Sequence, residues 1–512
     1  MFARKLFIAI ICSCVFLNID ILCSETIVNG AVSGIWTKDD SPYIATEDIF
    51  VEQGQSLIIN PGVHVYFQDS VTFTIGEEFN ASNRKHQLIA KGTGTDSIVF
   101  AAQDPSNVWC GINFVESADD DTLAYAVIRD IHPGTETWNY WNRWGEIAGG
   151  AIDIFHSSPQ IQNCSIQNNQ LSDFALLNCY NANPTLTNCI IAGNEGLTGE
   201  PGEIRPPHIS RSAILDCHES NVRIENTLVY KNHLCQFFYN MNFSLITFIN
   251  MTISNNIFSP DFEFVDFGLL GLMTKVYFIN SIITDNNSDF NSFFGFPSPM
   301  ESILFSYSNI DTSSSFPIQW ADSWAHNPFV VWQTGNLSTD PLFADGENYN
   351  LTLQSNSPCV DAGNPHSAYN DNEDPENPEQ ALWPAQGTVR NDMGAFGGKS
   401  ELRPDNSSSG VIHDIFSTKL DEFKLYANFP NPFNPTTTIH FQIPVNEQVK
   451  LTIYNILGQQ VRTLVDRPLQ KGDHQIVWDG TNEMGRTVES GFYFYRITAG
   501  DFNQTQKMVL LK

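Results

Sequence analysis

The chain has 512 residues, 26 of them Lys or Arg and 57 Asp or Glu, for a formal net charge of −31. That balance excludes a nucleic-acid binder, which needs a basic surface to displace the counterions of a phosphate backbone, and it opposes docking on anionic lipid. A hydrophobic content of 42% excludes a disordered chain, and the length exceeds one compact core, so more than one domain is expected.

The N-terminus reads as a secretory signal over residues 1–24. Arg4 and Lys5 precede an apolar run from Leu6 to Leu17, Asn18 and Asp20 end it, and Ser24 offers a small residue for cleavage. That run is too short to span a bilayer, and no other segment is long and apolar enough to do so. Removing 1–24 leaves Cys110, Cys164, Cys179, Cys189, Cys217, Cys235 and Cys359, an odd set without a CxxC spacing, which argues against a structural zinc.

Charge divides what remains. Residues 25–419 hold 15 basic and 47 acidic side chains, net −32, whereas 420–512 hold nine of each. Between them, the polar segment 399–420 has the composition of a flexible connector. It separates an expected domain at 25–398 from a second at 421–512.

The first domain carries a repeat. Asn-x-x-[Ile/Val]-x-x-Asn occurs at 163–169, 188–194, 226–232, 250–256 and 280–286, with the first Asn spaced by 25, 38, 24 and 30 residues. Such a period fits a coil of about three short strands, each followed by a turn, with insertions in the longer intervals. Asn tolerates the left-handed backbone of a sharp turn. The expected role of Asn163, Asn188, Asn226, Asn250 and Asn280 is an amide ladder running from coil to coil, with Ile and Val filling a continuous core.

A further strand precedes each motif. Ile152-Asp153-Ile154, Leu177-Asn178-Cys179 and Leu215-Asp216-Cys217 align, with the polar middle residue expected to face solvent. Cys164 shares a register with Cys189, and Cys179 with Cys217. The default reading is inward-facing thiols in a stack, and a disulfide between neighbouring coils is the alternative.

With these motifs in place, the region from about 45 to 398 resembles the right-handed parallel β-helix proteins. Trp109–Phe114, Leu123–Ile128 and Gly149–Ile152 support the likeness. Asp340–Phe343, Ser357–Gly363 and Gly387–Gly398 resemble the C-terminal cap of secreted bacterial members. The implied fold is all-β: a right-handed parallel β-helix followed by a small immunoglobulin-like β-sandwich. Short strands alternate with turns through 421–512. There Asn428–Ile439, Ile453–Gly458, Gly491–Tyr495 and the terminal Lys507, Met508, Val509, Leu510, Leu511 and Lys512 resemble a C-terminal sorting domain, a family that includes the type IX secretion signal and the immunoglobulin-like module of hook-capping proteins. That resemblance implies export through outer-membrane secretion machinery to the medium or outer surface of a Gram-negative bacterium.

Parallel β-helices carry polysaccharide lyases, glycoside hydrolases and non-catalytic adhesins, so function has to be read from sites. Asp153 and Asp216, two coil steps or about 9–10 Å apart, approach the roughly 6.5–9.5 Å carboxyl spacing of inverting glycosidases, and His218 is placed to assist proton transfer. Trp138, Tyr140, Trp141 and Trp144 form an aromatic insert suited to stacking on sugar rings, and Trp320, Trp324 and Trp332 form a second cluster. Asn370, Asn372 and Asp374 alternate oxygen donors that would suit Ca²⁺, the one cofactor considered, as would Asp119–Asp121. The expected function is an exported or surface β-helix protein that binds glycans or other surfaces. The alternatives are a polysaccharide lyase or glycoside hydrolase, and a structural surface component.

Overall fold

The computed structural model describes residues 25–76, 86–104, 109–131, 149–171, 175–196, 212–234, 236–258, 274–286, 302–311, 330–402, 423–425, 428, 433, 435–469, 472–500 and 502–511. The expected signal segment 1–24, the aromatic insert 138–144, Trp320, Trp324 and Lys512 lie outside them. The chain falls into two units, residues 1–412 and 413–512. Both are all-β, and no α-helix occurs among the described residues.

The first unit is built from long parallel sheets. One circuit runs through Ile152–Phe155, Gln160–Gln162, Ser165–Gln167 and Gln170–Leu171. It returns as Ala175–Tyr180, where Leu177 pairs in parallel with Ile152, 25 residues on. The next circuit returns at Ala213–His218, where Leu215 pairs with Leu177 across 38 residues. These spacings equal the first two motif intervals, so the repeat in the sequence is the circuit in the structure.

Each circuit turns at left-handed corners that stack in columns. One column holds Glu116, His156, Asn181, Glu219 and Phe243, with φ between 47° and 51°. A second holds Asn163, Asn188, Asn226, Asn250 and Asn280, with φ between 47° and 54°. A third includes Asn168, Lys231, Asn255 and Asp285. The motif therefore spans two corners, at its first and sixth positions. Asn dominates the second column because its short amide offsets the steric cost of that backbone region.

Inside the circuits, one hydrophobic core runs from Val32 to Ile310. Fully burying each Ile, Leu or Phe contributes about 1.5–3 kcal/mol, and stacking repeats that gain circuit after circuit. Phe248, Phe278, Phe305 and Trp332 are directly paired on successive strands, and their rings stack at 4.7, 5.2 and 5.1 Å. Parallel-strand spacing of about 4.8 Å imposes that distance.

The segment expected to cap the last coil does this in part. Leu353, Cys359 and Met393 pack with Ile282, Tyr307 and Leu337. The chain then runs back along the side of the unit as a strap. Asn364 N donates to Asn280 Oδ1 (2.7 Å), Asn250 Nδ2 to Asp392 O (3.2 Å), Asn226 Nδ2 to Ala395 O (3.3 Å) and Glu401 N to Asn188 Oδ1 (3.0 Å). Leu402 is buried, so the chain stays attached four residues into the segment expected as a free connector.

The second unit pairs a four-stranded antiparallel sheet, Gln460–Leu469, Glu447–Asn455, Gly491–Ala499 and Phe502–Leu510, with a three-stranded sheet, Lys424–Leu425, Thr437–Ile443 and Gly472–Trp478. Trp478, Tyr495, Ile453, Met508 and Leu510 are buried in their shared core. The Trp478 ring meets Tyr493 edge-on at 5.3 Å.

Candidate functional site

The strands Ile152–Phe155, Ala175–Tyr180 and Ala213–His218 lie side by side, with Asp153 paired to Asn178 and Asn178 to Asp216. The register expected from the sequence is the one observed. The expected exposure is not: Asp153 is 0% exposed, Asn178 2% and Asp216 7%. The cause is local. Gly149 and Gly150 fold back over Asp153, whose Oδ2 accepts from Gly149 N (2.9 Å) and Oδ1 from Gly150 N (3.3 Å) and Asn178 Nδ2 (2.6 Å). A Cβ at Gly150 would collide with Ala175 O and the Asn178 amide, so only glycine permits this fold-back. Asp153 thus anchors the backbone entering its strand.

Burial pushes the Asp153 carboxyl up to about 6, against the opposing pull of the Asn178, Gly149 and Gly150 donors. Asp216 differs. Its Oδ1 lies 3.4 Å from His218 Nε2, and the His218 side chain is 23% exposed. The imidazole stacks on Tyr180 at 4.7 Å, and Tyr180 on Phe155 at 5.3 Å. This column of flat rings beside Asp216 had no sequence signal beyond its register. It follows from Phe155, Tyr180 and His218 each standing two residues after the Asp/Asn/Asp position. Asp216 and His218 are the expected catalytic residues that the structure brings together with partial access. Asp153 is committed to the backbone.

The asparagine positions divide their work. Among the five first asparagines, an amide-to-amide bond joins Asn280 to Asn250 (3.2 Å), and the column otherwise binds the strap. The continuous ladder is made by the seventh position. Asn169, Asn194, Asn232, Asn256 and Asn286 are linked Nδ2 to Oδ1 at 2.9, 2.8, 2.8 and 2.9 Å. The motif contained this ladder. Periodicity alone does not separate the two positions: the first Asn turns left-handed with its amide on the outside, whereas the seventh points inward.

Residues of the expected Ca²⁺ loop are engaged in hydrogen bonds within their own segment. Asn372 Nδ2 donates to Ser400 O (3.2 Å), and Asp374 accepts from Glu376 N (2.9 Å) and Asn377 Nδ2 (2.7 Å), which lower its pKa. Asn370 ends the 3-10 turn Ser367–Tyr369. Among the described residues, no group of three His, Cys, Asp or Glu is placed to hold a metal. Asp121, from the other acidic run, is buried and accepts from Leu88 N (2.7 Å); burial pushes it up to about 7. Two strap carboxyls, Asp371 and Asp392, are also buried and both pushed up: Asp371 by burial and the neighbouring Asp392 charge, Asp392 mainly by burial. Asp371 accepts from Asp392 N and Gly398 N.

In the second unit, Lys507–Leu510 form the end of the last strand, and Leu511 follows it. Met508 and Leu510 are buried, Lys507 Nζ stands over the Phe492 ring at 5.5 Å, and Leu511 is exposed. Residues 433–501 match the FlgD Ig-like domain family. No curated protein matches the chain. Among solved structures, dimeric latent PorU from Porphyromonas gingivalis is 22% identical with a TM-score of 0.15, over 17% of this chain and 9% of that one. PorZ from the same organism, described as an essential surface component of the type-IX secretion system, is 16% identical with a TM-score of 0.14, over 24% of this chain and 14% of that one. The chain spans under a sixth of either protein, and likeness at this level carries no argument about function. Among the described residues, no helix is long and apolar enough to cross a membrane.

Proposed function

We propose that this is an exported surface protein, a right-handed parallel β-helix carrying a C-terminal sorting domain, which binds a glycan on the strand face of Asn178, Tyr180, Asp216 and His218 without cleaving it. The basic and apolar N-terminus and the sorting-type tail support export. The observation that carries the non-catalytic reading is the Asp153 carboxylate. Both its oxygens are occupied by N–H donors that hold the chain in place, so it is poorly placed to activate water as the second carboxyl of an inverting pair. The partly open column of Tyr180 and His218 beside Asp216 offers ring edges and hydrogen-bonding groups to a neutral sugar. The surrounding charge of net −32 over 25–419 opposes a polyanionic one.

A panel of neutral and anionic polysaccharides in affinity gels, with and without Ca²⁺, tests this. The expected result is retardation by a neutral glycan that Asp216→Asn and His218→Ala weaken, with no new reducing ends. Retardation unaffected by either substitution would refute this site. A second reading rests on the 3.4 Å Asp216–His218 approach, which suits general acid–base chemistry. Product release abolished by Asp216→Asn but kept by Asp153→Asn would establish it.

A further inference from the structure

Four buried thiols form two in-register pairs, and the pairs are built differently. Cys164 Sγ donates to Leu123 O (3.3 Å) and Gln162 O (3.2 Å), and Cys189 Sγ to Ile161 O (3.7 Å) and Thr187 O (3.4 Å). Each of these S–H groups ties its circuit to a carbonyl of the preceding one, and oxidation would forfeit that bond. Cys179 and Cys217 instead face each other. They are directly paired on neighbouring parallel strands, 1% and 0% exposed, and the Cys179 sulfur is the side-chain hydrogen-bonding neighbour of the Cys217 thiol. Directly paired residues on parallel strands stand about 4.8 Å apart, inside the Cα window of about 4.4–6.8 Å that a disulfide bridges. Both are free thiols in the structure.

We propose that Cys179 and Cys217 are a disulfide site, joined across successive circuits when the chain folds in an oxidising compartment. The bond would close a long circuit, whose paired residues are 38 apart and which contains residues 197–211. The oxidant is a disulfide-bearing exchange partner of the glutathione or protein-disulfide class. One cysteine thiolate attacks a sulfur of that partner and expels one thiolate. The other cysteine thiolate then attacks the mixed disulfide and expels the second. The two cysteines lose two protons and two electrons, the partner becomes two thiols, and one S–S bond replaces another. Burial disfavours the Cys217 thiolate, so exchange belongs to the folding chain, before the circuits close.

This inference rests on the export reading only for the supply of oxidant, so its test is run without export. The full chain is refolded in a mixture of oxidised and reduced glutathione, denatured with an alkylating agent present, and cut with chymotrypsin, which cleaves after Phe174 and Tyr180. Mass spectrometry is expected to find the Cys179 and Cys217 peptides linked until reduction, with Cys164 and Cys189 alkylated. Cys179→Ser is expected to abolish the linked species, leave Cys217 open to alkylation and keep the wild-type circular dichroism. If that variant fails to fold, Cys217→Ser or the wild-type map alone decides. Full alkylation of Cys179 and Cys217 before reduction, or their linkage to other cysteines, would overturn the proposal.

Discussion

Asn194 Nδ2 donates to Asn232 Oδ1 at 2.8 Å, and the same oxygen accepts from Asn194 N at 3.2 Å. Asn232 passes the bond on to Asn256 and ties Ile191 O and Tyr230 O to its own amide. One side chain thus satisfies backbone groups of successive circuits in a site 1% exposed. Asn232→Ala leaves several of these groups buried and unmet. At about 1–3 kcal/mol for each such group, a loss on the order of 3 kcal/mol is expected. Urea unfolding of the full chain followed by far-UV circular dichroism measures it. A change below about 0.5 kcal/mol, the range of ordinary surface substitutions, would show that the ladder carries no stability.

The strap offers a second test, through Gly394. Its φ is +96°, and a Cβ there would stand 2.8 Å from Thr252 Oγ1 and 2.9 Å from Ile282 Cδ1. Gly394 N also donates to Asn280 O at 2.7 Å. Gly394→Ala therefore combines backbone strain with a clash, at about 1–3 kcal/mol for the strain alone. Hydrogen exchange of 391–402 is expected to speed up about tenfold or more, while 152–192 keeps its protection. Unchanged exchange in 391–402 would mean that the strap is held elsewhere.

The circuits were legible because their corners and core depend on short-range rules. A left-handed corner selects Asn, an inward position selects Ile or Val, and the two recur at a fixed offset. Even the pairing of Asp153 with Asn178 and Asp216 could be counted out. Its burial could not, because that depends on Gly149 and Gly150 turning over the carboxylate, a contact that no periodicity encodes. The same limit hid the strap. Asn188 and Glu401 are 213 residues apart, and nothing in either segment names the other. The cap was expected from the resemblance of Asp340–Phe343, Ser357–Gly363 and Gly387–Gly398 to the caps of secreted β-helices, and both a cap and a strap need tight turns.

Stability should fall as pH rises. Asp153 and Asp121 hold their protons up to about 6 and about 7 in the folded chain, against about 3.9 when unfolded. A raised folded pKa gives a contribution that is complete below the unfolded value and is lost as pH climbs through the folded one. Asp371 and Asp392 are raised as well and add in the same direction. The urea midpoint of the parallel-sheet unit is therefore expected to be higher at pH 5 than at pH 8. Asp121→Asn, whose amide oxygen can still accept from Leu88 N, should shrink that difference. A midpoint that rises from pH 5 to pH 8 would contradict the assignment of these carboxyls as buried acids.

The end of the chain calls for substitutions rather than truncation. Phe502–Leu510 pairs along the whole of Gly491–Ala499, and Phe433 N and Leu511 N exchange bonds with Val509 O and Phe433 O, both at 2.9 Å. Met508 and Leu510 are 0% exposed. Deleting the last residues would strip a strand from the core, and an unfolded unit would fail in export for that reason alone. Met508→Ala is likewise expected to cost about 2–5 kcal/mol. Lys507 and Leu511 are placed differently, one over the Phe492 ring and the other half in solvent. Lys507→Ala combined with Leu511→Ser should change stability by no more than about 0.5 kcal/mol. If the terminus is read as an export signal, this folded variant accumulates in the periplasm, as cell fractionation would show. Surface display at the wild-type level would mean that the end of the strand serves the sandwich and is not read.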